Sequence, residues 1–464
     1  MKKRIDSRRK PHMSETETLL VQNAEISDGE TLDLRCSAGT ITDRSGTLDP
    51  NPNDTVINAR GCALIPGLHD HHIHLFSLAA KLSSIECGPP VVSDIRQLTK
   101  TIRASAGCGW IRGVGYHESV AGILNRGKLD SIVKDRPVRI QHRSGRVWWL
   151  NTQALRELGM NPSGNGELFR MDESVRKESS VGESLKTDVE DVYSGLLSMG
   201  VTGVTDATPT NDDPTVELLQ SLADNRINVI AMGNEQLKHG HLKLLIDDYR
   251  LPNIDSFETR ISNAHRLGRP VAIHCVSRVE LVFALAALQR VGILHGDRIE
   301  HASVVDSDTL KLLQSFGLTV VTQPNFIYER GDQYANDLRS EELDSLYRVG
   351  GLIAAGLAVG AGTDAPFGSH DPWLAMRSAV NRKTVTGRVL NGHECINADR
   401  ALHLFTTSPE DPGGRSRTLR VGQQADMVLL AQPWNQSMKY LTKENVRMTI
   451  VNGKIQYNRD EDQL

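Results

Sequence analysis

No run of apolar residues in this chain approaches the roughly 18 that a membrane helix needs, so no membrane partner is expected. Charge of neither sign is in surplus: 53 Lys and Arg stand against 57 Asp and Glu, a formal net charge of -4. That balance leaves no basic field for nucleic acid and no strongly acidic tail. Cysteine is scarce and scattered. Cys36, Cys62, Cys87, Cys108, Cys275 and Cys395 form no C-x-x-C pair and no closely spaced framework. They read as reduced thiols of a cytoplasmic protein, most of them small core residues. No internal repeat or low-complexity linker breaks the chain. The basic start MKKRIDSRRKPHM has no apolar stretch behind it, so it is not a secretory signal. Residues 1–17 are expected to be a disordered leader, with the first dozen either a loose tail or an upstream extension ahead of Met13.

What is present is ordinary for a globular protein: 39% hydrophobic and 24% charged residues over 464 positions, enough chain for a large core. Residues 18–62 hold short β-like runs such as LLVQNAEI and LDLRC, and the last sixty or so residues return to that style with ADMVLLA and VRMTIVNGKIQY. In the second of these, Asn452-Gly453 is a good two-residue hairpin turn. Between the ends, apolar strand-like runs alternate with helical patterns. RPVRIQH, GVTGVTDA, INVIAMG, HLKLLIDD, RPVAIHC, DRIEHAS, LTVVTQP and LAVGAGTD are the strands; VELVFALAALQRVG and DSDTLKLLQSFG are examples of the helices. Such alternation predicts an α/β fold, a parallel (β/α)8 barrel over residues 64–407. Residues 18–63 and 408–458 are expected to meet as one composite β-sandwich domain.

Strand after strand ends in a residue that can bind a metal. HDHHIH closes the first at residues 69–74, followed by Lys243, His274 in AIHC, His301 in RIEHAS and Asp364 in GAGTDAP. A barrel gathers the C-terminal ends of its strands into one site, so these residues form a metal-ligand inventory. Pleating chooses among the first-strand histidines. Side chains alternate between faces, which puts Asp70, His72 and His74 on one side and His69 and His71 on the other. His72 and His74 can then chelate one ion from a single strand.

The stretch PGLHDHHIH resembles the P-G-[FL]-x-D-x-H-x-H signature of the amidohydrolase superfamily, and Lys243, His274, His301 and Asp364 follow in the order that superfamily uses. RPVRIQHRSGRVWWLNTQAL and GTDAPFGSHDPWLAMRSAVNR are similar to the YtcJ-like branch, and the chain is also similar to phenylurea and molinate (thiocarbamate) hydrolases. Two departures stand out. Ser144-Gly145-Arg146 replaces the branch's D-G-H, and the lysine motif runs on into Asp247-Asp248 where Asp-Gly is usual.

The resemblance implies a metal-dependent hydrolase that attacks the carbonyl of a small urea, carbamate, thiocarbamate or N-acyl amine with a metal-bound hydroxide, a chemistry suited to xenobiotic or herbicide breakdown. The ion is zinc or cobalt, with manganese and iron as further options. His72, His74, His274 and Asp364 are the expected ligands, with Asp364 also the general base. His301 is a ligand or polarises the carbonyl. Lys243 is either carbamylated between two ions or a protonated partner of Asp247 or Asp248; the altered context points to the second, and so to one ion per chain. Trp148, Trp149, His295 and Asp371 are candidates for the substrate pocket, and a homo-oligomer is expected. The rival readings are a deaminase on the same scaffold and a catalytically silent barrel-type binding protein. The full set of ligand positions argues against the silent protein, and the lack of a deaminase-type H-x-E argues against the deaminase.

Overall fold

In the computed structural model, residues 18–26, 29–89, 91–107, 109–145, 147–169 and 182–460 are described. The leader at 1–17, Cys108 and Arg146 lie outside them. The chain divides into two compact units, Met1–His74 with Tyr193–Leu464 and, separately, Leu75–Val192.

In the larger unit, each chain end builds a four-stranded sheet. The first contains Thr18–Ile26, Glu30–Ser37, Thr40–Ser45 and Asp54–Asn58, with Thr18–Ile26 antiparallel to Glu30–Ser37 and parallel to Asp54–Asn58. The second contains Leu64–Pro66, Met427–Leu430, Val446–Val451 and Lys454–Asn458. Its hairpin turns at Asn452 and Gly453, both left-handed at φ 50° and 72°, which suits the right-handed twist of the flanking strands. The two sheets share one core: Leu19, Val21 and Leu34 from the first pack with Leu64, Met427, Leu429 and Ile450 from the second. Leu64–Pro66, expected at the start of the barrel, instead pairs with Met427–Leu430.

The middle of this unit carries parallel strands: β1 (Leu68–Ile73), β2 (Val201–Asp206), β3 (Asn228–Ala231), β4 (Leu242–Leu245), β5 (Val271–Cys275), β6 (Arg298–His301), β7 (Thr319–Thr322) and β8 (Val359–Ala361). They form a three-stranded sheet, β3-β2-β1, and a five-stranded sheet, β4-β5-β6-β7-β8. Half of them are buried along their whole length, as parallel strands covered on both faces are. Helices follow most of the strands. The one after β5, Arg278–Val291, starts on a capping box in which Ser277 and Glu280 satisfy each other's backbone N–H groups. A bridge between Gly233 and Leu242 links the ends of β3 and β4. On the far side, Asp364 N donates to His72 O at 2.8 Å, and His74 N to Ala365 O at 2.8 Å.

The smaller unit has its own five-stranded sheet, in the order Glu167–Phe169, Val147–Leu150, Val138–His142, Ile111–Tyr116, Ile85–Glu86. Two differences from the sequence reading follow. Residues 64–407 were expected to form one barrel, yet Leu75–Val192 clusters as a unit of its own. RPVRIQH was expected among the barrel strands, yet Val138–His142 pairs antiparallel with Val147–Leu150 in this smaller sheet. The intervening turn, with Gly145 at φ 72°, is too short for anything but a hairpin. Cys36, Cys87 and Cys275 are buried free thiols, and Cys395 is exposed. Among the described residues no helix is long and apolar enough to cross a membrane.

A shared core makes a testable statement about the chain ends. Leu34 and Ile450 are both fully buried in it. Leu34→Ala and Ile450→Ala should each destabilise the larger unit by about 2–5 kcal/mol in urea unfolding. A parent-like midpoint for Ile450→Ala beside a lowered one for Leu34→Ala would show two independent ends.

Candidate metal centre

Strand β1 is buried throughout, and its pleat sorts the histidines. On one side, His69 Nε2 meets Thr205 Oγ1 at 2.9 Å and His71 Nε2 meets Thr407 Oγ1 at 3.1 Å. Burial holds both imidazoles well below their usual pKa, so they are neutral packing groups. On the other side lie Asp70 and His72, with His74 just beyond the strand.

Asp70 does not reach the centre. Its carboxylate accepts from Thr363 N at 3.0 Å, Thr363 Oγ1 at 2.5 Å and His72 N at 3.1 Å. Burial outweighs those bonds and lifts its pKa to about 6. The effect is to tie β1 to the segment after β8. Gly362 permits the approach, because a Cβ there would sit 2.4 Å from His72 N.

One residue further on, Asp364 takes a left-handed backbone at φ 54°. Its Oδ1 lies 3.4 Å from His72 Nε2 and 3.2 Å from His74 Nε2. One ligand atom from each of His72, His74 and Asp364 falls within 4.8 Å of the others. The remaining predicted ligands adjoin them. The His301 ring centroid is 4.8 Å from that of His72 and 4.5 Å from that of His274. His301 and Ala302 are also left-handed, at φ 68° and 45°. Non-glycine residues in that region cost about 1–3 kcal/mol each and persist where surrounding structure imposes them.

The donor set fits a divalent cation. A carboxylate can only accept, so the His72 Nδ1 hydrogen bond to Glu300 puts the proton on Nδ1 and a lone pair on Nε2. That lone pair faces an Asp364 oxygen. His74 Nδ1 lies 3.0 Å from Thr208 Oγ1, a hydroxyl able to accept its proton. Burial and the nearby Lys243 draw His72 down to about 4, and the same causes draw His274 down to about 3. Both are neutral, as ligands must be. Burial opposes ionisation of Asp364, but the His74 hydrogen bond with His72 and His301 beside it holds the carboxyl well below the ordinary range. With an ion in place of the His74–Asp364 hydrogen bond, His72 Nε2, His74 Nε2 and Asp364 Oδ1 are three acceptors around one point, the surroundings a cation needs.

Sequence reading passed over Glu300, the hub beneath these ligands. It is fully buried. Besides His72 it accepts from Arg298 Nε at 2.5 Å, and Lys243 Nζ lies 4.0 Å away. Burial would raise its pKa, yet Arg298, Lys243 and His72 hold it well below the usual value. Its trace in the sequence is the R-x-E alternation of RIEH, two opposite charges on one face of a strand that is otherwise core. Gln323 was also missed; its Oε1 lies 2.7 Å from His301 Nδ1.

Lys243 points to Glu300, not to Asp247 or Asp248. Its Nζ is buried without a hydrogen-bond partner, and burial lowers its pKa. The strand explains the correction: Lys243 faces inward from β4, and Asp247 and Asp248 come after the strand has ended. The expected pocket residues have the following surroundings. His295 is exposed in the loop ahead of β6, at the strand end away from His301. Asp371 caps the helix Pro372–Asn381, accepting from Trp373 N at 2.9 Å. Trp148 and Trp149 are core residues of the smaller unit.

The sequence profile of the amidohydrolase family matches residues 55–457. N-substituted formamide deformylase from Arthrobacter pascens is 24% identical, over 96% of this chain and 99% of its own. YtcJ of Bacillus subtilis (strain 168) is 22% identical, over 88% and 92%. Among solved structures, a metal-dependent hydrolase from Pyrococcus horikoshii OT3 superposes with a TM-score of 0.72 at 22% identity, covering 88% of this chain and 96% of its own. Molinate hydrolase superposes with a TM-score of 0.55 at 13% identity, covering 95% of each chain. The structural likenesses establish a TIM-barrel-like α/β fold.

Glu300→Gln should weaken metal binding about 10- to 100-fold, the usual effect of removing a ligand's hydrogen-bond partner. Metal titration of the variant, with circular dichroism to confirm folding, decides it. Parent-like affinity would reduce Glu300 to a packing residue.

Proposed function

The chain belongs to the amidohydrolase family and its YtcJ-like branch, and from that premise we propose that it is a metal-dependent hydrolase cleaving a C–N bond beside a carbonyl in a small amide-like compound. The observation that carries the reading is the convergence of His72 Nε2, His74 Nε2 and Asp364 Oδ1 while a partner holds each imidazole's other nitrogen. The two parallel sheets are taken as one closed (β/α)8 barrel, a reading supported by the Gly233–Leu242 bridge and the Asp364–His72 bond. The chain-end sheets are taken as one β-sandwich, supported by their common core.

A divalent ion bound by His72, His74, His274 and Asp364 would supply acidity, easing deprotonation of water and polarising the substrate carbonyl. Asp364 accepts the proton of the attacking water and delivers it to the leaving amine. His301 gives its Nδ1 proton to Gln323 Oε1, so Nε2 presents a lone pair. Burial and His274 keep it from protonating. That tautomer suits a ligand and cannot donate to an oxyanion, which favours the first of the two roles expected for His301. The relative named for N-substituted formamides supports an N-acyl amine as substrate; ureas, carbamates and thiocarbamates share the same carbonyl chemistry.

Protein purified without added metal, then reconstituted and assayed on N-formyl amines, ureas and thiocarbamates, tests the reading. Amine or thiol release is expected; ammonia from an amidine would indicate the deaminase instead. Asp364→Asn should lose about 10²- to 10⁴-fold in turnover, the contribution typical of a general base. A near-parent rate would move that role to another residue.

Lys243 bears on the metal count. An ion pair with Asp247 or Asp248 would have favoured a single ion, but Nζ is buried without a hydrogen-bond partner and burial lowers its pKa, which raises the share of neutral amine. A neutral amine can add carbon dioxide, releasing a proton and leaving an anionic carbamate that can bridge two ions. Two ions per active chain, with the mass of one carbon dioxide on the peptide containing Lys243, are expected. One ion per active chain and an unmodified Lys243 would restore the mononuclear site.

A further inference from the structure

We infer that Arg330 forms an anion subsite at the rim of the metal centre, so that the preferred substrate is an amide-like compound carrying a carboxylate, such as an N-acyl or N-carbamoyl amino acid. The inference rests on the hydrolytic reading above and adds the substrate class.

Helix Asn325–Asp337 follows β7, and its first turn is latched to the segment that carries Asp364. Asn325 Nδ2 donates to Thr363 O at 3.0 Å and to Glu329 Oε1 at 2.9 Å. Both oxygens of Glu329 also accept from Ser369 N, at 3.0 and 3.1 Å. This latch places Arg330. Its Nη2 donates to Phe367 O at 2.6 Å, and its guanidinium carbon lies 4.2 Å from the Phe326 ring centroid. Phe367 in turn donates N–H to Asp364 O at 2.8 Å and sets its ring edge-on to His74, 5.6 Å between centroids. One tight turn, residues 364–367, therefore separates the guanidinium from the Asp364 backbone.

No carboxylate among the described residues pairs directly with Arg330, and Asp364 attracts it only at longer range. Its neighbours are a carbonyl, an aromatic face and the Tyr334 hydroxyl, all neutral. Among the described residues no carboxylate lies within ion-pair distance of it. Glu329, next in sequence, is already held by Ser369 and Asn325. Asp364 is turned toward His72 and His74. A half-buried arginine without an anion is unfavourably placed. Its planar fork offers five donors, of which the Phe367 carbonyl and the Tyr334 hydroxyl take two. A carboxylate is the anion whose two oxygens match that fork. Phe367, 47% exposed, supplies an apolar wall between the fork and His74, suited to the side chain of an amino acid. A lysine would bring the charge but not the stacked, forked geometry.

A matched pair of substrates tests this: N-formylphenylalanine and N-formylphenethylamine, which differ by the carboxylate. The parent enzyme should favour the acid about 10- to 100-fold in kcat/KM, the range of one charge-assisted pair, with the difference in KM. Arg330→Gln should collapse that ratio toward one, and Arg330→Lys should restore part of it. Equal kcat/KM for the pair in the parent, or an unchanged ratio in Arg330→Gln, overturns the subsite. A second measurement does not depend on turnover. Calorimetric binding of 3-phenylpropanoate should weaken at least about 10-fold in Arg330→Gln, and unchanged binding also overturns it. If neither formyl compound is hydrolysed while 3-phenylpropanoate binding still depends on Arg330, the hydrolytic reading fails and the anion site stands.

Discussion

A carboxylate with no exposed surface must be neutralised by its neighbours, and Glu300 is neutralised by three residues that the site needs in place. Arg298 compensates most of its charge from the same strand face, two residues away. His72 hands it the Nδ1 proton, which leaves the other nitrogen free to bind. Lys243 feels it across 4.0 Å. Removing Arg298 from this cluster would leave a buried anion whose remaining recourse is to draw protons onto His72 or Lys243, spoiling a ligand in either case. Arg298 also donates Nη2 to His71 O at 3.0 Å, so the same guanidinium that balances Glu300 fixes the backbone of β1 beside His72.

A second tie acts one level higher. Asp70 could have been a ligand by its face of the pleat, but Thr363 takes it from both backbone and side chain. That bond sets the distance between β1 and the end of β8, and with it the spacing of His72 and His74 from Asp364. The left-handed turn at Asp364 is affordable under these restraints, since Asp364 N is bonded to His72 O and Asp364 O to Phe367 N. Strain is held locally because several bonds over-determine the loop.

How much of this was legible in the sequence depends on range. Alternation of side chains in β1 separates His72 and His74 from His69 and His71 by local geometry alone, and the structure shows the two sets with different partners. Strand ends carrying His274, His301 and Asp364 were legible for the same reason, since a polar residue at the end of an apolar run is a local pattern. Glu300 was not, because its meaning comes from His72, 228 positions away. RPVRIQH has the composition of a buried parallel strand, and only its pairing with Val147–Leu150 distinguishes it. Trp148 and Trp149 fitted a pocket pattern, though two tryptophans in a strand are more often core, and in the smaller unit both are buried in its core clusters.

Lys243 shows how one neighbour can reverse a chemical argument. Beside Asp247 and Asp248 in sequence, it reads as a protonated cation with nothing to offer a metal. Strand geometry removes it from both and buries its amine level with Ala272 and Arg298, one strand pairing below His274 and Glu300. There the charged form is disfavoured by desolvation and by Arg298, and favoured by Glu300 at the edge of ion-pair range, by Asp364 and by Cys275. Glu300 is the strongest of the charges that favour the protonated lysine, and desolvation outweighs it. The arrangement that orients the histidine ligand therefore also sets the field at Lys243, whose pKa burial lowers, so a single buried carboxylate governs both the tautomer of one ligand and the electrostatics of another.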